Sequence, residues 1–146
     1  MPEILVVSDS PAVRHEVRSG LEGPQTTVRE AARGADVRAA VNERRPDVVV
    51  LDLQIGAMGG VAACLDLRLE EGAGRMPRVS VLLLLDRRPD VFLARRSGAD
   101  GWLVKPIDPL RLTRAVVALI AGGTFEDDAF QPPTVPATGI ATAPVG

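Results

Sequence analysis

Short apolar runs recur along the chain, and each is followed by a stretch with helical spacing. Glu3 to Val7, Thr26 to Ala31, Asp47 to Leu51, Val79 to Leu85 and Trp102 to Val104 have strand length and are bounded by turn residues. Most are apolar without alternation, so neither face of the sheet they form can be left in water. Such strands belong to a parallel sheet covered by helices on both sides. The crossovers that join them are right-handed.

The intervening stretches carry helix signals. Ser10 followed by Pro11 reads as an N-cap and a first-turn proline, opening a helix to about Leu21 with Val13, Val17 and Leu21 on one face. Gly23-Pro24 ends it. Gly34-Ala35-Asp36 opens a second helix carrying Val37, Ala40 and Val41, which stops before Pro46. A glycine-rich loop with Gly56, Gly59 and Gly60 leads into a third, roughly Val61 to Glu71, expected to bury Val61, Leu65 and Leu69. A short helix runs from about Pro89 to Ser97. Asp108-Pro109 opens the last, Leu110 to Ala121, with Leu112, Val116, Leu119 and Ile120 apolar. From Gly122 to Gly146 prolines alternate with Thr, Ala and Gly and apolar periodicity is absent, so residues 1–121 read as the domain and 122–146 as a disordered tail or the stump of a linker.

Composition removes several function classes. A net charge of −2 argues against a nucleic-acid surface. One cysteine and one histidine exclude a disulfide framework and a Cys/His metal cluster. Neither a signal segment nor a bilayer-length apolar run is present, so a cytoplasmic protein without membrane contact is expected. His15 reads as a surface side chain and Cys64 as a small buried apolar residue. The glycines at 56, 59 and 60 do not form a dinucleotide fingerprint, which places a flavin- or nucleotide-binding enzyme low.

In an open α/β sheet the ligand site lies at the carboxyl ends of the strands. Strand one ends in Ser8-Asp9, strand three in Asp52 and strand five in Lys105-Pro106. Lys105 is the only lysine among 17 basic residues. Two carboxylates and one ammonium thus converge on one rim. A hard cation such as Mg²⁺ relieves the repulsion between carboxylates. A carboxylate can attack a phosphoryl group, and a lysine neutralises the phosphoryl oxygens. These are the parts for phosphoryl transfer to Asp52.

Three segments carry a resemblance: Ile4 to Pro11 around Ser8-Asp9, Pro46 to Gly60 around Asp52, and Gly98 to Pro106 around Trp102 and Lys105. In this order, on these strand ends, they resemble the receiver domain of two-component response regulators, over roughly residues 3 to 121. The resemblance implies a flavodoxin-like, doubly wound (βα)5 parallel sheet of order 2-1-3-4-5. It implies Asp52 as phosphoacceptor, with Asp9, Asp52 and the Gln54 backbone carbonyl as Mg²⁺ ligands. Lys105 would contact the phosphoryl group, with a cis bond to Pro106, and Trp102 would take the aromatic switch position. The chain would be no enzyme beyond catalysing its own aspartyl phosphorylation and dephosphorylation. The implied partners are a sensor histidine kinase or another signalling protein, or a second copy through the helix 4–strand 5–helix 5 face, with no direct nucleic acid contact.

The chain departs from that pattern. Ser8 stands where a second acidic residue is usual, so site charge falls by one and Mg²⁺ should bind more weakly. Gly56 replaces a proline and loosens the loop. Strand four ends in leucines, with Leu83 or Leu84 where Thr or Ser is usual, and Ser80 sits too near the strand's start to serve. Asp86 follows, and its charge disfavours an approaching phosphoryl donor. These departures keep a second reading beside the first: a receiver fold that docks proteins without phosphorylation.

Overall fold

Parallel pairing of the apolar runs builds the chain's centre in the computed structural model, which describes residues 2–54 and 59–127. The strands are β1 Glu3–Val7, β2 Thr27–Ala31, β3 Val48–Asp52, β4 Ser80–Leu85, β5 Gly101–Val104 and β6 Phe125–Glu126. They lie in the order β2-β1-β3-β4-β5-β6, and each neighbouring pair is parallel. The expected 2-1-3-4-5 order is present, extended by one strand at the outer edge.

The helices are α1 Pro11–Leu21, α2 Val37–Glu43, α3 Gly60–Gly72, α4 Val91–Ser97 and α5 Pro109–Ile120. Their starts follow the local chemistry. The Ser10 side chain accepts from the Val13 N–H with Pro11 in the first turn, and the Asp108 side chain accepts from the Leu110 N–H with Pro109 in the first turn.

Alternation along the strands splits the core in two. Ile4, Val6, Val48, Val50, Leu82, Leu84 and Leu103 pack against Val17 of α1 and Leu112, Ala115, Val116 and Leu119 of α5. On the other face Leu5, Val7, Val49, Leu51, Leu83, Leu85 and Trp102 meet Val37 and Val41 of α2, Ala63, Cys64 and Leu67 of α3, and Val91 and Ala94 of α4. The burial of Cys64 agrees with its reading from sequence, and burial pushes its thiol pKa up.

Two expectations are corrected. The buried face of α3 is Gly60, Ala63, Cys64 and Leu67, while Leu65 is 45% and Leu69 70% exposed. Helix phase here is set at its first turn, where Gly60 sits on the backbone of β3's end and its N–H donates to the Leu53 carbonyl at 3.0 Å. A Cβ on Gly60 would lie 2.4 Å from the Asp52 carbonyl oxygen. Ala63, Cys64 and Leu67 then continue the buried stripe, where hydrophobic spacing alone pointed to Val61, Leu65 and Leu69.

The second correction moves the boundary drawn at residue 121. Phe125 and Glu126 pair with Gly101 and Trp102, and Asp127 is buried. An outer β5 would carry unpaired backbone groups along its edge, and this short segment satisfies them. Residues 128–146 lie outside the described residues.

Candidate functional site

The rim at the carboxyl ends of β1, β3, β4 and β5 gathers most of the polar residues singled out in the sequence. Ser8 follows β1 and is fully buried. Its N–H donates to the Ala31 carbonyl at 3.1 Å. Its carbonyl accepts from Arg14 Nη1 at 2.6 Å. Held by these bonds, its hydroxyl donates to Asp52 Oδ2 at 2.7 Å and accepts from the Ser10 N–H at 3.0 Å.

Asp52 is the last residue of β3 and is 2% exposed. A carboxylate this deep needs donors on both oxygens. Oδ1 accepts from Lys105 Nζ at 2.7 Å and from the Gln54 N–H at 3.2 Å, and Oδ2 is taken by Ser8. Lys105 directly follows β5, its own N–H donating to the Leu85 carbonyl at 2.8 Å. The peptide bond to Pro106 is cis.

Lys105 is shared. Its Nζ also donates to Asp86 Oδ1 at 3.0 Å. Burial pulls its ammonium pKa down, but the hydrogen bonds to Asp52 and Asp86 outweigh this and hold it above the usual lysine value. The other oxygen of Asp86, Oδ2, is buried and finds no hydrogen-bond partner among the described residues. Sequence reasoning placed Asp86 at the site as a repelling charge and missed this bond to Lys105. The signal was available: Asp86 directly follows β4 and Lys105 directly follows the adjacent β5, so a carboxylate there meets the ammonium.

Asp9 is exposed and lies just past Ser8 at the same rim, and Gln54 is exposed beside Asp52. Asp9 and Asp52 supply two hard oxygen donors, the number that Mg²⁺ usually takes from protein alongside phosphate and water. Ser8 adds a hydroxyl where a third carboxylate would add charge. The donor set is of the type that suits a hard divalent cation. Among the described residues no three His, Cys, Asp or Glu side chains are grouped for a metal. Gly56 lies outside the described residues.

The switch region is apolar throughout. Leu83 is in register with Trp102, and Leu84 is in register with Asp52 on the opposite sheet face. Leu85 ends β4 on the Trp102 face. The position was read as Leu83 or Leu84; register separates the two, and on the Trp102 face the end of the strand belongs to Leu85. Ser80 is at the other end of β4, its hydroxyl donating to the Leu119 carbonyl at 3.4 Å. Trp102 is buried, and its indole N–H has no partner among the described residues. His15 is an exposed side chain, 3.3 Å from the Ser19 hydroxyl.

Comparison with known proteins points to one family. Residues 4–117 match the model of the response regulator receiver domain. Protein PilH of Pseudomonas aeruginosa is 30% identical over 122 residues, spanning 84% of this chain and all of that protein. The DNA-binding response regulator MtrA of Mycolicibacterium smegmatis is 36% identical over 115 residues, covering 79% of this chain and 49% of the relative. The chain thus spans about half of that longer protein. A LuxR-family two-component response regulator from Aurantimonas sp. SI85-9A1 superposes with a TM-score of 0.76 at 30% identity, over 88% of this chain and 91% of its own.

Proposed function

Since the chain belongs to the response regulator receiver domain family, a family of signalling modules, we propose that it accepts a phosphoryl group on Asp52 from a sensor histidine kinase. The observation that carries the reading is the Lys105–Asp52 pair, 2.7 Å apart at the strand-end rim. The Asp52 carboxylate attacks phosphorus, the bond from phosphorus to the donor's leaving group breaks, and an acyl phosphate forms. Lys105 then neutralises phosphoryl charge as it neutralises the carboxylate now. Ser8 and the Gln54 N–H orient Asp52. Asp9, Asp52 and the Gln54 carbonyl would hold Mg²⁺, which when bound offsets the negative charge of the incoming group.

Incubation with acetyl phosphate and Mg²⁺, read by intact mass, tests this. One phosphoryl adduct is expected in the parent and none in Asp52→Asn. An adduct that survives Asp52→Asn, or none in either, overturns it. Among the described residues no helix is long and apolar enough to cross a membrane, in keeping with a cytoplasmic exchange of this kind.

Asp86 sets the rate in this reading. It shares Lys105 with Asp52 and places a further negative charge at the rim, so two carboxylates draw on one ammonium. Asp86→Ala frees Lys105 for the phosphoryl group. It is expected to raise the rate of adduct formation about tenfold, the worth of roughly 1.4 kcal/mol in the barrier. A slower reaction would show that Asp86 positions Lys105 for the transfer instead.

A second reading is favoured by β4. With leucine at positions 82 to 85, the end of β4 offers no hydroxyl to couple a phosphoryl group to Trp102. A missing charge-assisted hydrogen bond removes roughly 1.5–3 kcal/mol of preference for an active state. On this reading the domain docks partners with little dependence on phosphate. Amide NMR with and without beryllofluoride separates the two: shifts confined to the rim favour docking, and shifts spreading through Trp102 into α4 favour a phosphoswitch.

A further inference from the structure

Beyond the rim, the outer edge of β5 carries a device of its own. Among the described residues two of β6 pair with it, Phe125 with Gly101 and Glu126 with Trp102. The Phe125 N–H donates to the Asp100 carbonyl at 3.1 Å. Past β6 a side chain continues the ladder: the Val104 N–H donates to Asp127 Oδ2 at 3.2 Å, and Asp127 is 1% exposed. Both flanking helices reach the segment. Arg95 of α4 lies 3.5 Å from Glu126, and Arg111 of α5 lies 3.8 Å from Asp127.

The fold is shaped to receive this segment, yet most of it stays in water: residues 122–124 and Glu126 are exposed, Phe125 is half-buried and Asp127 is buried. A Cβ on Gly101 would lie 2.8 Å from the Phe125 carbonyl oxygen. The chain enters through Gly122, at φ +87°, and Gly123. A half-open pocket of about 200 Å³ lies between the segment and α4, lined in part by Arg95, Trp102 and Phe125. Elements with few buried apolar contacts open locally before the core does. Trp102 lines this pocket, and its indole N–H is buried and without a partner among the described residues. An unsatisfied buried donor carries a cost that access of water relieves.

We propose that residues 122–127 form a detachable strap that closes the β5 edge to strand addition and shields Trp102, and that opens without unfolding the sheet. An uncovered β-edge is a template for an added strand, and the strap keeps that edge paired. It requires neither Asp52 nor a phosphoryl donor, and its failure is therefore distinct from failure of the phosphoacceptor reading.

Asp127→Ala in the full chain tests it by amide hydrogen exchange and by acrylamide quenching of Trp102, the only tryptophan in a chain without tyrosine. Loss of one buried hydrogen bond to a charged acceptor raises the open population about tenfold or more. The Phe125 amide is expected to exchange faster by that factor and Trp102 to be quenched more strongly. The Lys105 amide, bonded to Leu85 in the core, keeps its protection. Arg111→Gln, which leaves the ladder bond in place, shifts Phe125 exchange less and in the same direction. Unchanged exchange and quenching would make the segment a fixed sixth strand and overturn the proposal. So would equal acceleration at Phe125 and Lys105, or an Asp127→Ala chain that fails to fold, because the segment would then open only with the whole sheet.

Discussion

Lys105→Met is expected to destabilise the domain by about 3 kcal/mol at neutral pH, the lower end of the cost of breaking a buried ion pair. Asp52 is 2% exposed and Asp86 faces the same ammonium, so removing Lys105 leaves two carboxylates without their cation. Ser8 and the Gln54 N–H still donate to Asp52, and the Lys105 side chain is itself 22% exposed, which keeps the loss from being larger. Urea midpoints at constant slope measure the difference. Its pH dependence has a definite sign. A folded-state pKa held above the ordinary 10.5 makes the lysine's contribution complete below that value and lost as pH rises through the raised one. Parent and variant should thus differ by a constant amount from neutral pH toward 10.5 and converge above it. A variant as stable as the parent at neutral pH would mean that Asp52 and Asp86 are solvated well enough to need no cation.

Gly60→Ala is expected to cost about 3 kcal/mol, the upper part of the usual range for forcing an extra methyl group into a packed site. The added Cβ would stand 2.4 Å from the Asp52 carbonyl oxygen and 3.0 Å from the Leu53 Cα. Both are backbone, so α3 or the end of β3 has to move. The displacement reaches the chemistry, because the Asp52 side chain hangs from the same backbone. The rate of adduct formation should fall along with the urea midpoint. Gly72→Ala is the contrast. It lies in the last turn of the same helix, its added Cβ meets nothing within 4 Å, and its φ is not positive. It should be neutral or stabilise by about 0.5 kcal/mol through reduced backbone freedom. Equal effects at the two positions would remove the argument from close approach.

Much of the fold is legible in the linear chain, because strand burial and helix amphipathicity are written as apolar periods. The five runs from Glu3 to Val104 place the strands to within a residue or so, and the caps at Ser10 and Asp108 place two helix starts. Phase within a helix is less legible. In α3 the leucines at 65 and 69 advertise burial, yet the close contact of Gly60 on β3 turns the Cys64 and Leu67 face inward. Nothing local marks that choice, since it depends on where the helix meets the sheet.

By itself the sequence determined which residues reach the rim, because a strand's end is a local property and a parallel sheet brings all such ends to one side. Asp9, Asp52, Asp86 and Lys105 follow from that rule alone. Tertiary structure decided how they pair: Ser8 with one oxygen of Asp52, Lys105 with the other and with Asp86. Register likewise decided that Leu84 lies opposite Asp52 while Leu83 lies beside Trp102. It also drew Phe125 to Asp127 out of a proline-rich stretch and onto the edge of β5. The physical reason is common to all three. Hydrophobic burial is read out along one chain, whereas hydrogen-bond partnership among charged and backbone groups depends on segments far apart in sequence, and only their packing brings donor to acceptor.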